Sequence, residues 1–321
     1  MTTEQKSRLL EIWSTYFPGA ELPVAFFRSD EAHGASPSRP AKGWRCFIGD
    51  LTAVRRGQSV YYARETVGCG RRFLGLDTSL RKDFESFLSC GIAGELEGER
   101  YKQTPELVAA WMETVPVVPS EKRYVVFKRW DALDEGDEPE VVVFFAIPDV
   151  LSGLFTWAGF DEPVAEAVGA PFGAGCASII QYPLLEAAKE RPRAILGMFD
   201  VSARPRVPDG VLTFAVPWSK FERMLAKANE TFLTTESWAK VRRRIARQTG
   251  AEKLVACTVP SGARASATRQ LGCVADRPPL RRATAGCSMR CTRATRAADP
   301  VGPRRSSRHS ATQYRGLSPA R

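Results

Sequence analysis

The chain has 321 residues, enough for two average domains or for one domain with an additional terminal segment. Its 46 Lys and Arg residues outnumber its 36 Asp and Glu residues, but the excess lies at the end of the chain: residues 1–250 carry 32 basic against 33 acidic residues, and residues 251–321 carry 14 against 3. The nearly neutral first part therefore gives no electrostatic indication of a nucleic-acid or membrane partner.

Neither a secretory signal nor a membrane span is expected. Residues 1–11 contain Glu4 and Glu11 and lack a continuous apolar core. The most apolar stretch, residues 141–160, is interrupted by Pro148 and Asp149, which favours a strand followed by a helix over a membrane span. We expect a cytoplasmic protein with no membrane partner, whose cysteines stay reduced.

Hydrophobic periodicity and turn residues predict helices and strands throughout the first 250 residues. The predicted helices cover residues 3–17, 51–56, 78–88, 104–115, 148–157, 176–189, 218–229 and 235–248. The predicted strands cover residues 23–28, 59–63, 123–130, 140–147, 193–200 and 210–216. Strands occur both as neighbours and in alternation with helices. We therefore expect a single α+β domain over residues 1–250, with helices packed on a mixed sheet.

Residues 251–321 have a different composition. They contain no Ile, Phe or Trp and are rich in Arg, Ala, Ser, Thr and Pro, so they are predicted to be disordered. This composition is typical of a GC-rich reading frame translated out of register, and the alternative is a nucleic-acid-binding arm. The four cysteines of this segment show no zinc-site spacing: Cys257, Cys273, Cys287 and Cys291.

Histidine is nearly absent, with only His33 and His309. We therefore expect residues 1–250 to contain no Ser-His-Asp triad, no His-Cys dyad and no metal site with two histidines. Neither a Walker A sequence nor G-x-G-x-x-G occurs in register.

Four cysteines fall in the first 250 residues: Cys46, Cys69, Cys90 and Cys176. Four is the number that an iron–sulfur cluster or a Cys₄ zinc site requires, although no C-x₂-C pair is present. Cys46, Cys69 and Cys176 are the better subset, because three protein ligands leave one position open for a substrate. Cys90 is a further candidate ligand, but it is also the one most typical of an ordinary core cysteine.

A glycine-rich turn precedes the helix predicted to begin at Cys176. Gly173 and Gly175 offer backbone N–H groups to an anion, with Ser178 beside them. Arg45 is a candidate cation, and Arg204 and Arg206, which follow the strand that ends at Asp200, are further candidates. The alternative is a tight turn that packs closely on the helix.

The helix macrodipole is expected to lower the pKa of a cysteine in the first turn, which makes Cys176 a candidate nucleophile. Five arginines flank the first two cysteines and could hold an anion or lower a thiol pKa: Arg45, Arg55, Arg56, Arg71 and Arg72. For Arg55 and Arg56, a solvated surface position is the simpler interpretation.

Several short motifs occur in a characteristic order. They are Pro23-Val-Ala, Cys46 with Arg55 and Gly57, Cys69 with Leu74-Gly75-Leu76, Lys102 with Thr104-Pro105-Glu106, Pro148, Gly175-Cys176-Ala177, and Arg204 before Pro217. In this order the chain resembles the domain-of-unknown-function-169 family, the uncharacterised ArCR-like proteins. The resemblance covers nearly all of residues 1–250 and none of the tail. It implies that Cys46, Cys69 and Cys176 occupy the family's characteristic cysteine positions, and it implies no particular activity.

Three functional hypotheses follow. The first is a metal or iron–sulfur centre held by Cys46, Cys69 and Cys176 for a redox, sensing or ligand-activation role. The second is a metal-free module that binds a small anion. The third is a thiol enzyme with Cys176 as nucleophile, which would need a carboxylate, a water or the substrate as base. Whether the chain is an enzyme is left open.

Overall fold

A mixed eight-stranded β-sheet lies at the centre of the part of the chain that the computed structural model describes, residues 1–38, 46–65 and 68–252. The strands are β1 (Val24–Ser29), β2 (Ser36–Pro37), β3 (Val60–Tyr62), β4 (Tyr124–Arg129), β5 (Val141–Ala146), β6 (Val168–Gly169), β7 (Ala194–Gly197) and β8 (Leu212–Pro217). Their order across the sheet is β2-β3-β4-β1-β5-β8-β7-β6. Only the two outermost pairs, β2 with β3 and β6 with β7, are parallel.

Helices cover both faces of this sheet. They are α1 (Thr3–Tyr16), α2 (Phe47–Arg55), α3 (Phe84–Leu88), α4 (Pro105–Glu113), α5 (Pro148–Ala158), α6 (Tyr182–Ala187), α7 (Trp218–Lys227) and α8 (Glu236–Gln248). A π-helical turn, Ala177–Gln181, leads directly into α6. The predicted α+β class with a mixed sheet is confirmed. The predicted boundary of the domain at residue 250 stays a prediction, and the predictions for residues 253–321 lie outside the described residues.

Strand β5 shows why two cores form. All six of its residues are buried. Because side chains alternate along a strand, Val142, Phe144 and Ala146 enter one core, and the other three, Val141, Val143 and Phe145, enter the core on the opposite face. A continuous apolar run predicts a strand covered on both faces, and this prediction is confirmed.

The first core is built by α1, α5, α7 and α8. Its aromatic centre includes Trp13, Phe17, Trp157 and Trp238, and the three indole N–H groups each donate to a backbone carbonyl, from Trp157 to Met224 at 2.8 Å for example. Because each indole N–H has a carbonyl partner, these tryptophans are buried without an unsatisfied hydrogen-bond donor. This face contains none of the candidate cysteines.

The second core lies under α2, the turn at residues 68–76, and the π-helical turn with α6. Cys176 is itself part of this core, and Cys46 and Cys69 pack against it. The candidate site therefore lies on this face of the sheet.

Some element boundaries differ from the predictions. The helix predicted over residues 78–88 is helical only from Phe84, since Asp83 before it adopts a left-handed conformation (φ 57°). Helix α4 begins as predicted, with the Thr104 side chain accepting a hydrogen bond from the Leu107 N–H and with Pro105 in the first turn.

Candidate functional site

Three of the four candidate cysteines lie on the wall of one large cavity. Cys46 caps the N-terminus of α2, Cys69 lies in the turn that follows β3, and Cys176 lies at the start of the helix that follows β6. The cavity has a volume of about 890 Å³. Cys90 is exposed and does not line it, so the interpretation of Cys90 as a core cysteine was wrong.

The ionisations of the three thiols are linked: hydrogen bonding of Cys46 to Cys69, and of Cys69 to Cys176, favours the protonated form of the donor thiol. The backbone N–H of Phe47 also donates to Sγ of Cys69 at 3.2 Å. The bond to Cys69 and burial raise the pKa of Cys46 far above its ordinary value, and the bond to Cys176 and burial raise the pKa of Cys69 to about 12. The expectation that nearby arginines lower these pKa values was therefore wrong. Cys46 and Cys69 are protonated, weakly nucleophilic thiols at neutral pH.

The thiol cluster is not a ready-made metal site. Among the described residues, no group of three or more His, Cys, Asp or Glu side chains is arranged to hold a metal ion. The cysteines are free rather than disulfide-bonded.

The π-helical turn fixes the position of Cys176. The hydroxyl of Ser178 donates to the carbonyl of Gly175 at 2.8 Å and accepts the N–H of Met198 at 3.4 Å. Gln181 donates to the carbonyls of Val115 and Pro116 just after α4. π-helical turns often mark functional sites, and this one is held from two sides.

The glycine turn is used within the protein itself. The N–H of Gly175 donates to the Asp200 carboxylate at 3.0 Å, and the glycine packs closely on Met198. Gly173 and Ser178 line the cavity, but Gly175 does not. Part of the predicted anion-binding backbone is therefore already occupied by a carboxylate of the chain.

Of the arginines predicted to accompany this turn, Arg204 does not line the cavity. Arg204 donates to the carbonyl of Val211 instead. Arg45 lies outside the described residues.

Four other arginines do line the cavity: Arg71, Arg72, Arg81 and Arg206. Arg71 pairs with Asp77 at 3.2 Å, and Arg72 donates to the carbonyl of Thr78 at 2.7 Å. The guanidinium of Arg81 stacks 4.0 Å from the centre of the Phe87 ring. The guanidinium groups of Arg81 and Arg206, both exposed residues, form no hydrogen bond or ion pair with a described residue. Because Arg81 stacks on Phe87, Arg206 is the cavity arginine whose guanidinium has no partner in the described part of the chain.

Acidic groups also border the cavity. Glu65 and Glu99 are exposed, as Arg206 is, so water screens the charge of all three groups. Asp200 is already satisfied, because it accepts hydrogen bonds from the N–H of Gly175 and from the N–H and hydroxyl of Ser202. Tyr101 accepts the same Ser202 N–H at 3.0 Å, and burial raises its pKa.

The remaining wall is apolar and aromatic. Its members include Phe73, Phe84, Phe87, Trp111, Phe172 and Phe199. Trp111 meets Phe172 edge-on with ring centres 5.3 Å apart, and the ammonium of Lys102 lies 4.3 Å above the Phe172 ring. Trp111 is therefore part of the cavity, whereas Trp130, Trp157 and Trp238 are buried in the core.

Arg55, one of the arginines that flank the first two cysteines in the sequence, has a structural role. Its guanidinium binds Glu21 through two bonds of 2.6 and 2.7 Å and stacks on Phe145. Its side chain is 9% exposed, so the expected solvated position was wrong. Arg55 is a structural ion pair and does not line the cavity.

A Ser-His-Asp arrangement occurs after all, away from the cavity. Ser29 Oγ lies 2.9 Å from Nε2 of His33, and Nδ1 of His33 lies 2.9 Å from Oδ1 of Asp137. Oδ1 of Asp137 accepts no hydrogen bond in the described part of the chain, so these three residues do not form the hydrogen-bonded relay of a catalytic triad. Asp137 also pairs with the buried Lys128 at 2.9 Å, and the His33 ring packs on Phe27. These contacts hold the loop after β1 on the acidic loop before β5.

The sequence singles out Arg206, together with Arg204, as an anion-binding candidate, but it does not single out the other cavity residues Asp200, Tyr101, Phe172 and Phe199. The available signal for Phe199 and Asp200 was their position at the end of the strand predicted over residues 193–200, next to a loop, where functional groups are common.

The fold and the cavity define an α+β protein with a central mixed sheet and a cysteine-lined cavity on one face. The chain belongs to the domain-of-unknown-function-169 family, described as uncharacterised ArCR, whose model matches residues 20–227. This match covers more than half of the chain and includes Cys46, Cys69 and Cys176. No curated protein and no solved structure matches the chain significantly. None of the described helices combines the length and apolar composition needed to cross a membrane.

Proposed function

We propose that this chain binds a small organic anion in the cavity lined by Cys46, Cys69 and Cys176. The observation that carries the proposal is the unpaired guanidinium of Arg206 on the wall of a cavity of about 890 Å³. Pockets for small molecules typically have volumes of about 300–1,000 Å³ and mostly apolar walls with a few polar groups.

We infer a negatively charged ligand from the hydrogen bonds and ion pairs that the charged groups of the cavity already make. Arg206 has no partner among the described residues, whereas the Asp200 carboxylate already accepts four hydrogen bonds. Burial lowers the pKa of Arg72, so a second guanidinium on this wall would gain from a nearby negative charge. A carboxylate or sulfonate can accept two parallel hydrogen bonds from one guanidinium.

A fluorescence titration of the full chain with the aromatic sulfonate 1-anilinonaphthalene-8-sulfonate tests the proposal. Saturable binding should weaken about tenfold in Arg206→Ala, the loss of one charge-assisted contact. Arg247→Ala is the matched control, because Arg247 is exposed on α8 at the opposite face of the sheet. Equal affinity in the two variants would refute the proposal.

A second candidate is a single thiophilic ion held by the thiol cluster. The pKa of Cys69 responds to both Cys46 and Cys176, and Met198 lines the same cavity. Thiolates about 2.3 Å from one tetrahedral Zn²⁺ lie about 3.8 Å apart, so three thiols that act on one another suit one ion. It suits an iron–sulfur cluster less, because each cysteine of a cluster binds a different iron atom. The described side chains would have to rearrange to complete such a site.

Metal analysis of the anaerobically purified full chain tests this second candidate. Stoichiometric zinc or iron in the wild type, lost in Cys69→Ser and retained in Cys90→Ser, is the expected result. A wild-type protein that contains neither metal and takes up no added Zn²⁺ would refute it. A redox, sensing or ligand-activation role would require that metal.

A further inference from the structure

Large apolar side chains are exposed around the cavity. Eight large hydrophobic residues are exposed on the described surface, and four of them, Leu80, Phe172, Phe199 and Val201, line this one cavity. Phe199 is 55% exposed and Val201 is 70% exposed. Contiguous exposed apolar surface of this kind marks a binding groove more often than a free surface.

The apolar surface continues from the mouth to the inner wall. Ile48, Met198 and Ala203 are almost completely buried and line the same cavity next to Cys176. Apolar and sulfur-containing side chains therefore line the cavity from its mouth to its inner wall. Arg206 is not surrounded by polar groups alone.

Charge and apolar surface are joined in one short segment. Phe199 and Val201 follow β7 directly, and Arg206 ends the short 3₁₀ turn Arg204–Arg206 a few residues later. The segment is anchored at Asp200, whose carboxylate binds the Gly175 N–H and the Ser202 hydroxyl. A ligand bound to Arg206 in this cavity would therefore have exposed apolar side chains of the same wall within the cavity.

We propose that the ligand is an amphipathic organic acid, with its acidic group on Arg206 and an extended hydrocarbon body against Phe199, Val201 and Phe172. This inference rests on the proposed function and specifies its ligand class. Burial of hydrocarbon on these side chains would add affinity with each methylene, whereas a compact anion could use only the charge.

Displacement of the bound sulfonate probe by butanoate, hexanoate, octanoate and decanoate tests the inference on the full chain. Affinity should rise by up to about fourfold per methylene, and the methyl ester of the longest acid should bind much more weakly than the acid. Phe199→Ser should flatten the dependence on chain length. Phe155→Ser is the matched control, because Phe155 is similarly exposed, at 50%, on α5 at the other face.

Two failures are distinguishable in this experiment. If all four acids displace the probe equally, the amphipathic ligand is refuted while anion binding at Arg206 stands. If the probe binds independently of Arg206, the proposed function itself fails. Binding of the chain to anionic phosphatidylglycerol vesicles without displacement of the probe by any free acid would also refute the inference, because a lipid surface would then be the partner.

Discussion

Ser178 fills the space directly above Gly197. A Cβ on Gly197 would lie 2.2 Å from the hydroxyl oxygen of Ser178 and 2.3 Å from its Cβ. This contact joins the end of β7 to the π-helical turn that begins after Cys176. The geometry of the cavity wall therefore depends on residue 197 being a glycine, which has no side chain.

Gly197→Ala should therefore destabilise the protein and displace the turn. Overpacking of this kind costs about 1–3 kcal/mol. Chemical denaturation measures the free energy of unfolding, and the same samples report affinity for the sulfonate probe. Gly159→Ala at the end of α5, on the other face of the sheet, is the control, since a Cβ there would have its nearest contact 3.7 Å away and the backbone is right-handed helical (φ −91°). An equal response of the two variants would contradict the role of this contact.

The Cys69 thiol should resist alkylation near neutral pH. Its pKa is raised to about 12 by the bond to Cys176 and by burial, so only a minute fraction is thiolate. The rate of carboxamidomethylation by iodoacetamide should rise about tenfold per pH unit below that pKa. Mass spectrometry of peptides from chelator-treated protein gives the rate, with the exposed Cys90 as internal reference. Equal labelling of Cys69 and Cys90 at pH 7 would contradict the hydrogen bonding of Cys69 to Cys176.

The same labelling tests Cys176 as a nucleophile. Cys176 is 6% exposed in the absence of substrate. We predict that it reacts far more slowly than Cys90, because access to its sulfur is restricted. Rapid and selective labelling of Cys176 near neutral pH would instead support the thiol-enzyme hypothesis.

Glu186 should stabilise the protein in a pH-dependent manner. Burial acts to raise the pKa of this carboxyl, but hydrogen bonds from Arg193 and Lys189 outweigh it and lower the pKa below the ordinary 4.5. The stabilisation is therefore complete above about pH 4.5 and is lost as the pH falls through the lower, folded-state value.

Glu186→Gln should cost about 1–2 kcal/mol at pH 7, since both cationic partners are partly exposed, and the difference should shrink in acid. Urea denaturation at pH 7 and at pH 3 measures it. Glu190→Gln, a change at an exposed site nearby, is the control and should have little effect. A cost for Glu186→Gln that is the same at both pH values would refute the assignment.

The long helices and strands could be predicted because the spacing of their apolar residues follows which side chains are buried. The apolar run of β5 and the Thr104-Pro105 start of α4 are examples. The edge strands β2 and β6 could not be predicted, because two residues are too few to show alternation. Their existence depends on pairing with β3 and β7.

The site was predictable in part. The choice of Cys46, Cys69 and Cys176 over Cys90 agrees with their positions on one wall. Their protonation was not predictable, because it depends on interactions between thiols of residues far apart in sequence. Arg206 rather than Arg204 lines the cavity because a 3₁₀ turn directs the two side chains differently, which sequence spacing alone does not reveal.

Blocking the cavity mouth is the most direct test of the central claim that this cavity binds a ligand. Ala170 is exposed and lines the cavity, so Ala170→Trp should fill part of it without disturbing the cores. We predict that titration with the sulfonate probe shows at least a tenfold loss of affinity while the melting temperature is unchanged. Full-affinity binding to a correctly folded Ala170→Trp protein would contradict the account.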